Sequence, residues 1–175
     1  TALDFNAGGR QLAIGARDGT VVVYSLPEGK VLSTLRLKLD TGGRRAPKAL
    51  RFNPSGDLLA SSSLDDYYVE IWNAGATQRV TRLYHLDVVH DLSWRPDGKL
   101  LAAACGDSRV YLWAARDFAN PNTIPKKLAA HEGAVAAITF NHRGTLLASL
   151  GNDETVRLWI PGTGRQMARG IASET

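Results

Sequence analysis

Three side chains in the last third of the chain, Ser149, His131 and Asp153, are of types that hydrolases combine for catalysis. A histidine between a serine and an aspartate can activate the hydroxyl as a nucleophile. Residues 85–90 contain two histidines and an aspartate, which are residue types that ligate zinc. Whether either set does chemistry depends on the elements that position its members.

A sequence pattern around these residues occurs four times. An apolar-x-aromatic triplet is followed by a Gly-containing turn, an apolar run, an aspartate and a closing aromatic residue. The anchor aromatics of the triplets lie 42 to 47 residues apart and are Phe5, Phe52, Trp94 and Phe140. The closing aromatics are Tyr24, Trp72, Trp113 and Trp159. Self-similarity at this period predicts a repeat array, in which each unit buries its apolar faces against its neighbours.

Each repeat predicts four short antiparallel strands joined by hairpins, because short β-compatible runs alternate with Pro- and Gly-containing turns. The fourth strand of each repeat is the most polar. No helical periodicity interrupts this pattern, so we expect an all-β fold of four four-stranded antiparallel sheets, which are β-propeller blades. They form a single array over residues 1–175, with approximate blade limits at 1–40, 46–86, 88–130 and 134–175.

The repeats resemble those of the WD-repeat β-propeller family over essentially the whole chain. The resemblance departs from the family pattern at two places. None of the closing aromatics is followed by the expected aspartate, and the Gly-His pair of the family is replaced by Ala130-His131 in the fourth repeat. His85 takes the same position one repeat earlier.

The resemblance implies a polar relay in each blade, running from Trp through Ser or Thr and His to Asp. The fourth repeat carries the full set, which is Trp159, Ser149, His131 and Asp153. The third repeat has Ala103 in place of the hydroxyl and otherwise carries Trp113, His85 and Asp107. The second repeat lacks the histidine and carries Trp72, Ser62 and Asp66. The first repeat retains only Asp18.

These positions recur with the repeat, as structural residues would and a single active site would not. We therefore predict that the chain is not an enzyme and that Ser149, His131 and Asp153 are structural. The His85/Asp87/His90 set lacks a third histidine or a cysteine, so no metal is predicted. No phosphate-binding glycine motif is present, and no cofactor is expected.

Binding is expected where the repeats differ, on exposed loops at one rim. In the family, the residue before each turn aspartate often faces a ligand. Here those residues are Arg17, Asp65, Gly106 and Asn152, and a neighbouring loop adds Arg44, Arg45 and Lys48. Arginine binds carboxylates and phosphates bidentately, so an acidic or phosphorylated protein partner fits this rim. A solvated loop without a partner is the other interpretation.

The alternative function is nucleic-acid binding through the basic patch Arg44/Arg45/Lys48. A formal charge of only +4 and the lack of interleaved aromatics disfavour it. The preferred prediction of function is therefore a non-catalytic scaffold or sensor module that binds proteins.

Assembly and location are expectations from the whole chain. Because the chain begins at Thr1 and holds four blades, we expect either a piece of a longer propeller or a homodimer that completes an eight-bladed ring. Cys105 is the only cysteine, so no internal disulfide can form, and a reducing, cytoplasmic location is expected. No run of about 18 apolar residues is present, and no membrane association is predicted.

Overall fold

A computed structural model describes residues 1–37, 46–64, 66–120, 122–129 and 131–171. Within these residues the chain forms sixteen β-strands and one turn of 3-10 helix at Ala115–Asp117. The strands make four antiparallel sheets of four strands each, in which consecutive strands are neighbours. The predicted all-β fold of four-stranded propeller blades is therefore confirmed. None of the described residues forms a helix that is long and apolar enough to span a membrane.

The chain divides into two compact units, Thr1–Val89 and His90–Thr175. In the first unit, sheet 1 consists of β1 (Ala2–Phe5), β2 (Gln11–Gly15), β3 (Thr20–Ser25) and β4 (Val31–Arg36). Sheet 2 consists of β5 (Pro47–Phe52), β6 (Leu58–Ser63), β7 (Tyr68–Asn73) and β8 (Arg79–Tyr84).

The second unit contains the other two sheets, apart from the first residue of β9. Sheet 3 consists of β9 (Val89–Trp94), β10 (Leu100–Cys105), β11 (Arg109–Ala114) and β12 (Lys126–Ala129). Sheet 4 consists of β13 (Val135–Phe140), β14 (Leu147–Gly151), β15 (Thr155–Ile160) and β16 (Arg165–Ile171). The last strand of each sheet lies at its edge, and in sheets 2, 3 and 4 it is the most exposed strand, as its polar composition predicted; in sheet 1 the first strand has no buried residue, whereas the last strand has two.

The turn between the first two strands has the same construction in three sheets. An asparagine at the end of the first strand accepts a hydrogen bond from a backbone N–H five residues later. The acceptor and donor pairs are Asn6 Oδ1 with Gln11, Asn53 Oδ1 with Leu58, and Asn141 Oδ1 with Leu146, all at 3.0 Å. Gly56 has a φ of +80° in this turn, a conformation that disfavours residues with a side chain. Turn chemistry thus sets the strand pairing.

Each unit has its own core, formed where two sheets face each other. In the first unit Val21, Val23 and Leu35 of sheet 1 belong to one cluster with Phe52 and Trp72 of sheet 2. In the second unit Val110 and Leu112 of sheet 3 belong to one cluster with Phe140, Leu147 and Trp159 of sheet 4. Burying one such side chain stabilises the fold by about 1.5–3 kcal/mol. Each sheet therefore supports its neighbour within the unit.

Polar side chains also connect the sheets of one unit. The residue before the anchor aromatic of one sheet accepts a hydrogen bond from the backbone N–H of the next anchor. Asp4 Oδ2 accepts from Phe52 at 2.8 Å, and Ser93 Oγ accepts from Phe140 at 3.1 Å. In the second unit Asp91 Oδ2 also accepts from the Ile138 N–H at 3.1 Å. These contacts satisfy backbone donors at the free edge of the first strand.

Candidate functional site

Sheet 4 brings all four side chains of the full relay together. Trp159 on β15 donates its indole N–H to Ser149 Oγ on β14 at 2.9 Å. Ser149 Oγ lies 2.8 Å from His131 Nε2, and His131 Nδ1 lies 3.0 Å from Asp153 Oδ1 in the β14–β15 turn. The imidazole side chain is only 1% exposed. The four groups therefore form a continuous buried chain between strands.

The acceptors and donors of this chain fix the direction of each hydrogen bond. A carboxylate only accepts, so a neutral His131 imidazole carries its proton on Nδ1 and presents Nε2 as an acceptor. Ser149 then donates its hydroxyl proton to Nε2 and accepts from the indole of Trp159. The serine oxygen is enclosed by its partners and is 2% exposed as a residue, which leaves no access for a substrate.

Asp153 is the most strongly bound member of the relay. Burial opposes its ionisation, but hydrogen bonds from the Glu132 backbone, His131, Thr155 and Arg157 outweigh that effect and hold the pKa of Asp153 well below its usual range. The Glu132 N–H lies 3.0 Å from Oδ2, and the Thr155 hydroxyl lies 2.8 Å from Oδ1. Arg157 Nη2 approaches Oδ2 at 3.2 Å. The aspartate therefore joins the turn, the strand and the segment before β13.

Thr155 and Arg157 are members of this network that the sequence analysis did not identify. Both are buried on β15, at alternating positions that lead to Trp159. Polar residues repeated at every second position of an otherwise apolar strand are the signal that could have found them.

In sheet 2 the prediction of Ser62 as the relay serine is wrong. Trp72 donates its indole N–H to Ser61 Oγ at 3.1 Å, whereas Ser62 Oγ is buried without a hydrogen-bond partner among the described residues. The turn after β6 is one residue longer than the turn after β14, so counting back from Asp66 selects the neighbouring serine. Adjacent residues of a strand point to opposite faces, so a shift of one position changes the partner entirely. Asp66 Oδ1 accepts from the Tyr68 N–H at 3.3 Å.

In sheet 3 a tyrosine reaches the turn aspartate. Asp107 accepts from the Tyr111 hydroxyl at 2.6 Å and from Arg109 Nη1 at 3.0 Å. Burial works against ionisation here too, but bonds from Tyr111, Cys105 and Arg109 lower the pKa of Asp107. Ala103 and Trp113 are both buried in this sheet.

His85, which was assigned to the same relay, lies in the first unit and is fully buried. Its Nδ1 lies 3.0 Å from the carbonyl oxygen of Leu83. Among the residues that the structure covers, no group of three or more His, Cys, Asp or Glu side chains is arranged to hold a metal ion.

The predicted binding rim is only partly covered by the structure. Arg17 and Asn152 are exposed, each directly before the aspartate of a turn between the second and third strands. Lys48 is exposed but lies within β5, where the register with β6 shifts, and not in the preceding loop. Arg44, Arg45 and Asp65 lie outside the described residues. The rim as a single surface stays a prediction.

The fold and the relay define a class of protein, a repeat scaffold of four-stranded sheets with buried polar ties. Residues 50–127 match the profile described as "Anaphase-promoting complex subunit 4 WD40 domain". Residues 1–25 and 122–159 match the profile described as "WD domain, G-beta repeat". The chain belongs to the WD-repeat family.

Relatives of known name agree with this assignment. The chain is 31% identical over 168 residues to "Chromatin assembly factor 1 subunit FAS2 homolog" of Oryza sativa subsp. japonica, which covers 90% of this chain and 32% of the relative. It is 38% identical over 111 residues to "Coronin-7" of Rattus norvegicus, covering 61% of this chain and 12% of the relative. It is 32% identical over 128 residues to "F-box-like/WD repeat-containing protein TBL1X" of Mus musculus, covering 65% of this chain and 23% of the relative. The chain thus spans a third or less of the length of each of these three proteins.

Proposed function

We propose that this chain is a non-catalytic scaffold or sensor module that binds protein partners through the loop rim around Arg17. WD-repeat relatives suggest a protein-interaction scaffold as the general function. The finer proposal, which names the rim and the chemistry of the partner, rests on the residues of this chain.

The observation that carries the proposal is the contrast between buried and exposed polar groups. Ser149, His131 and Asp153 are enclosed in the relay, so the residues with catalytic types hold strands together. Arg17 and Asn152, at the ends of turns, are exposed and differ in type between repeats. Residues that differ between repeats and face solvent are the ones that select a partner.

The partner chemistry follows from charge. The rim carries Arg17 and, in the predicted surface, Arg44, Arg45 and Lys48, against Asp65. Guanidinium groups bind carboxylates and phosphates with two parallel hydrogen bonds, which favours an acidic or phosphorylated protein segment.

Charge reversal tests this proposal. Binding of a fluorescein-labelled octapeptide of alternating glutamate and phosphoserine would be followed by anisotropy. The triple variant Arg17→Glu/Arg44→Glu/Arg45→Glu should weaken binding by about tenfold or more. Lys30→Glu is the matched control, because Lys30 is exposed in the turn between β3 and β4, at the opposite end of sheet 1.

Two results would overturn the proposal. One is equal weakening by the triple variant and by Lys30→Glu, which would indicate a general charge effect. The other is tight binding of a 20-base-pair DNA duplex at physiological salt that the triple variant abolishes, which would favour the nucleic-acid alternative.

The exposed faces of the end sheets support a further part of the proposal, a covering sheet. Leu3 and Phe5 of sheet 1 are 60% and 55% exposed, whereas the equivalent residues of sheet 2, Leu50 and Phe52, are buried. On sheet 4 Leu150 is 37% exposed, whereas its equivalent in sheet 3, Ala104, is fully buried. A sheet of the same kind, from a second copy or from the rest of a longer chain, would cover these faces. Sedimentation at low micromolar concentration should show that the unchanged chain associates and that Phe5→Glu associates less. If the unchanged chain is a monomer, as the variant is, the proposal that a second copy covers these faces is contradicted.

A further inference from the structure

A cavity of about 490 Å³ lies in the second unit, in the size range of ligand sites. Its lining combines three apolar and three cationic side chains. These six residues, which we name the sheet 3 groove, are Leu100, Ala114, Ala115, Arg95, Lys99 and Arg116. The described residues that line it include no acidic and no aromatic side chain. Leu100 packs against the core of the unit, so the apolar part is anchored in the fold.

Two of the three cations are available to a ligand. Arg95 is bound by Asp97, with Nε 2.7 Å from Oδ1 and Nη2 2.7 Å from Oδ2. The Lys99 ammonium makes no side-chain hydrogen bond within the described part of the chain, and it acts on Asp97 only through its charge. Arg116 has a side chain that is 87% exposed, and it makes only a long, exposed ion pair with Asp117, with Nε 3.7 Å from Oδ1. A net positive charge therefore remains at the groove.

The adjoining turn adds to this charge. A Cβ placed on Gly144 would lie 2.8 Å from Arg95 Cγ, so the β13–β14 turn runs directly beside the groove. That turn exposes His142 and Arg143 and contains no acidic residue. The positive region thus extends from sheet 3 to the neighbouring turn of sheet 4.

The equivalent cavity in the first unit has a different character. It measures about 640 Å³, and the same register positions are occupied there by Asn6, Arg10, Gln11 and Ser25. Its lining also includes Glu28 and Asp57. Its charges are mixed, and polar side chains replace Leu100 and Ala114. The described residues provide a cavity at this position in both units, and the sheet 3 groove differs in having Leu100 and Ala114 at two positions that are polar in sheet 1 and no acidic side chain in its lining.

We propose that the sheet 3 groove binds an acidic peptide segment of a protein partner, with an apolar side chain next to its carboxylates. Lys99 and Arg116 bind the carboxylates, and Leu100, Ala114 and Ala115 contact the apolar side chain. A nucleotide base fits less well, because no aromatic side chain offers a stacking surface.

This site goes beyond the proposed rim. Its residues flank the β9–β10 turn and follow β11, whereas Arg17 and Asn152 of the rim lie at turns between second and third strands. In an antiparallel meander those two sets of connections lie at opposite ends of the sheet. One chain could therefore hold two acidic segments at once.

The test uses a fluorescein-labelled peptide, Glu-Glu-Leu-Glu-Glu-Leu-Glu-Glu, and its all-Gln counterpart on the whole chain. Anisotropy should show binding of the Glu peptide only. Lys99→Met/Arg116→Met keeps the alkyl stems and removes both charges, and it should weaken binding by about tenfold. Ala115→Trp, which fills the cavity without altering charge, should weaken binding as well.

Matched controls separate this site from other positive surfaces. Arg169→Glu on β16 and Arg10→Glu at the equivalent cavity should each leave the affinity unchanged, since both side chains are exposed cations outside the groove. Equal binding of the Gln peptide, or an affinity that the Met and Trp variants leave intact, would overturn the proposal. Loss of peptide binding in Arg17→Glu, with the Met and Trp variants unaffected, would also overturn the proposal, because it would place the peptide at the rim.

Discussion

Sheets 1 and 4 have the same strand order and turn construction, yet they differ in what their first strands contact. The anchor Phe140 of sheet 4 is 9% exposed, and its N–H is bound by Ser93 of sheet 3. The anchor Phe5 of sheet 1 is 55% exposed. A repeat of this kind is therefore stabilised by the sheet that precedes it as much as by its own strands.

The relay follows the same division. In sheet 4 a hydroxyl, an imidazole and a carboxylate connect three segments beneath Trp159. In sheet 1 the position of the hydroxyl holds Ile14, and the closing aromatic is Tyr24. Buried polar chains of this type are restricted to places where every member finds a partner. The complete relay thus occurs in a sheet whose first strand is covered, and it is absent from the sheet whose first strand faces solvent.

The largest expected effect separates the two anchor aromatics. Phe140→Ala should lower the free energy of unfolding by about 3–5 kcal/mol, because it opens a cavity in the core of the second unit. In the unassociated chain, Phe5→Ala should lower the free energy of unfolding by less than about 1 kcal/mol, since most of the ring faces solvent there. Urea unfolding of both variants provides the measurement. Equal losses would show that the end sheet is covered in solution.

The pH dependence of stability should depend on Asp153. Its pKa is lowered in the folded protein relative to an unfolded value near about 4, so its contribution is present above that pH and is lost as pH falls below it. Asp153→Asn should cost about 3 kcal/mol at pH 7, and that deficit should shrink at pH 3. Urea unfolding at both pH values measures this change.

Asp18→Asn in sheet 1 is the matched control, because Asp18 is exposed and occupies the same turn position. Its cost at pH 7 should be below about 1 kcal/mol. A deficit for Asp153→Asn that is constant from pH 7 to pH 3 would contradict the role of the ionised carboxylate.

A smaller effect should distinguish two adjacent serines in sheet 2. Ser61→Ala removes the acceptor of the buried Trp72 indole and should cost about 1–3 kcal/mol. Ser62→Ala removes a buried hydroxyl that has no partner among the described residues, so it should be neutral or slightly stabilising. Thermal and urea unfolding should rank the two variants in this order. The reverse order would restore Ser62 as the relay residue.

The fold was predictable because its signals are local. Turn asparagines, prolines and glycines recur with the apolar runs, and together they determine strand number, order and pairing. The four residues of the sheet 4 relay were predictable for a similar reason, since their spacing follows the repeat.

The sequence does not predict the contacts that depend on one residue of turn length or on the packing of two sheets. The prediction of Ser62 is wrong because the turn between β6 and β7 is one residue longer than the turn between β14 and β15. This difference is seen in the strand pairing and not in the sequence pattern. The hydrogen bonds that Asp4 and Ser93 accept from the next sheet depend on how two sheets pack. No local sequence pattern predicts which residues of two sheets come into contact. The sheet 3 groove combines residues from two connections, which only the folded sheet brings together.

His131 would be essential in a hydrolase and is structural in a scaffold, so one variant of this residue separates the two roles. The free energy of unfolding of His131→Ala and its affinity for the glutamate–phosphoserine peptide should be measured on the same preparation. We predict a stability loss of about 1–3 kcal/mol, because Ser149 and Asp153 lose a buried partner, together with an unchanged peptide affinity. Full stability combined with the loss of a measurable ester-hydrolysis activity would contradict the account.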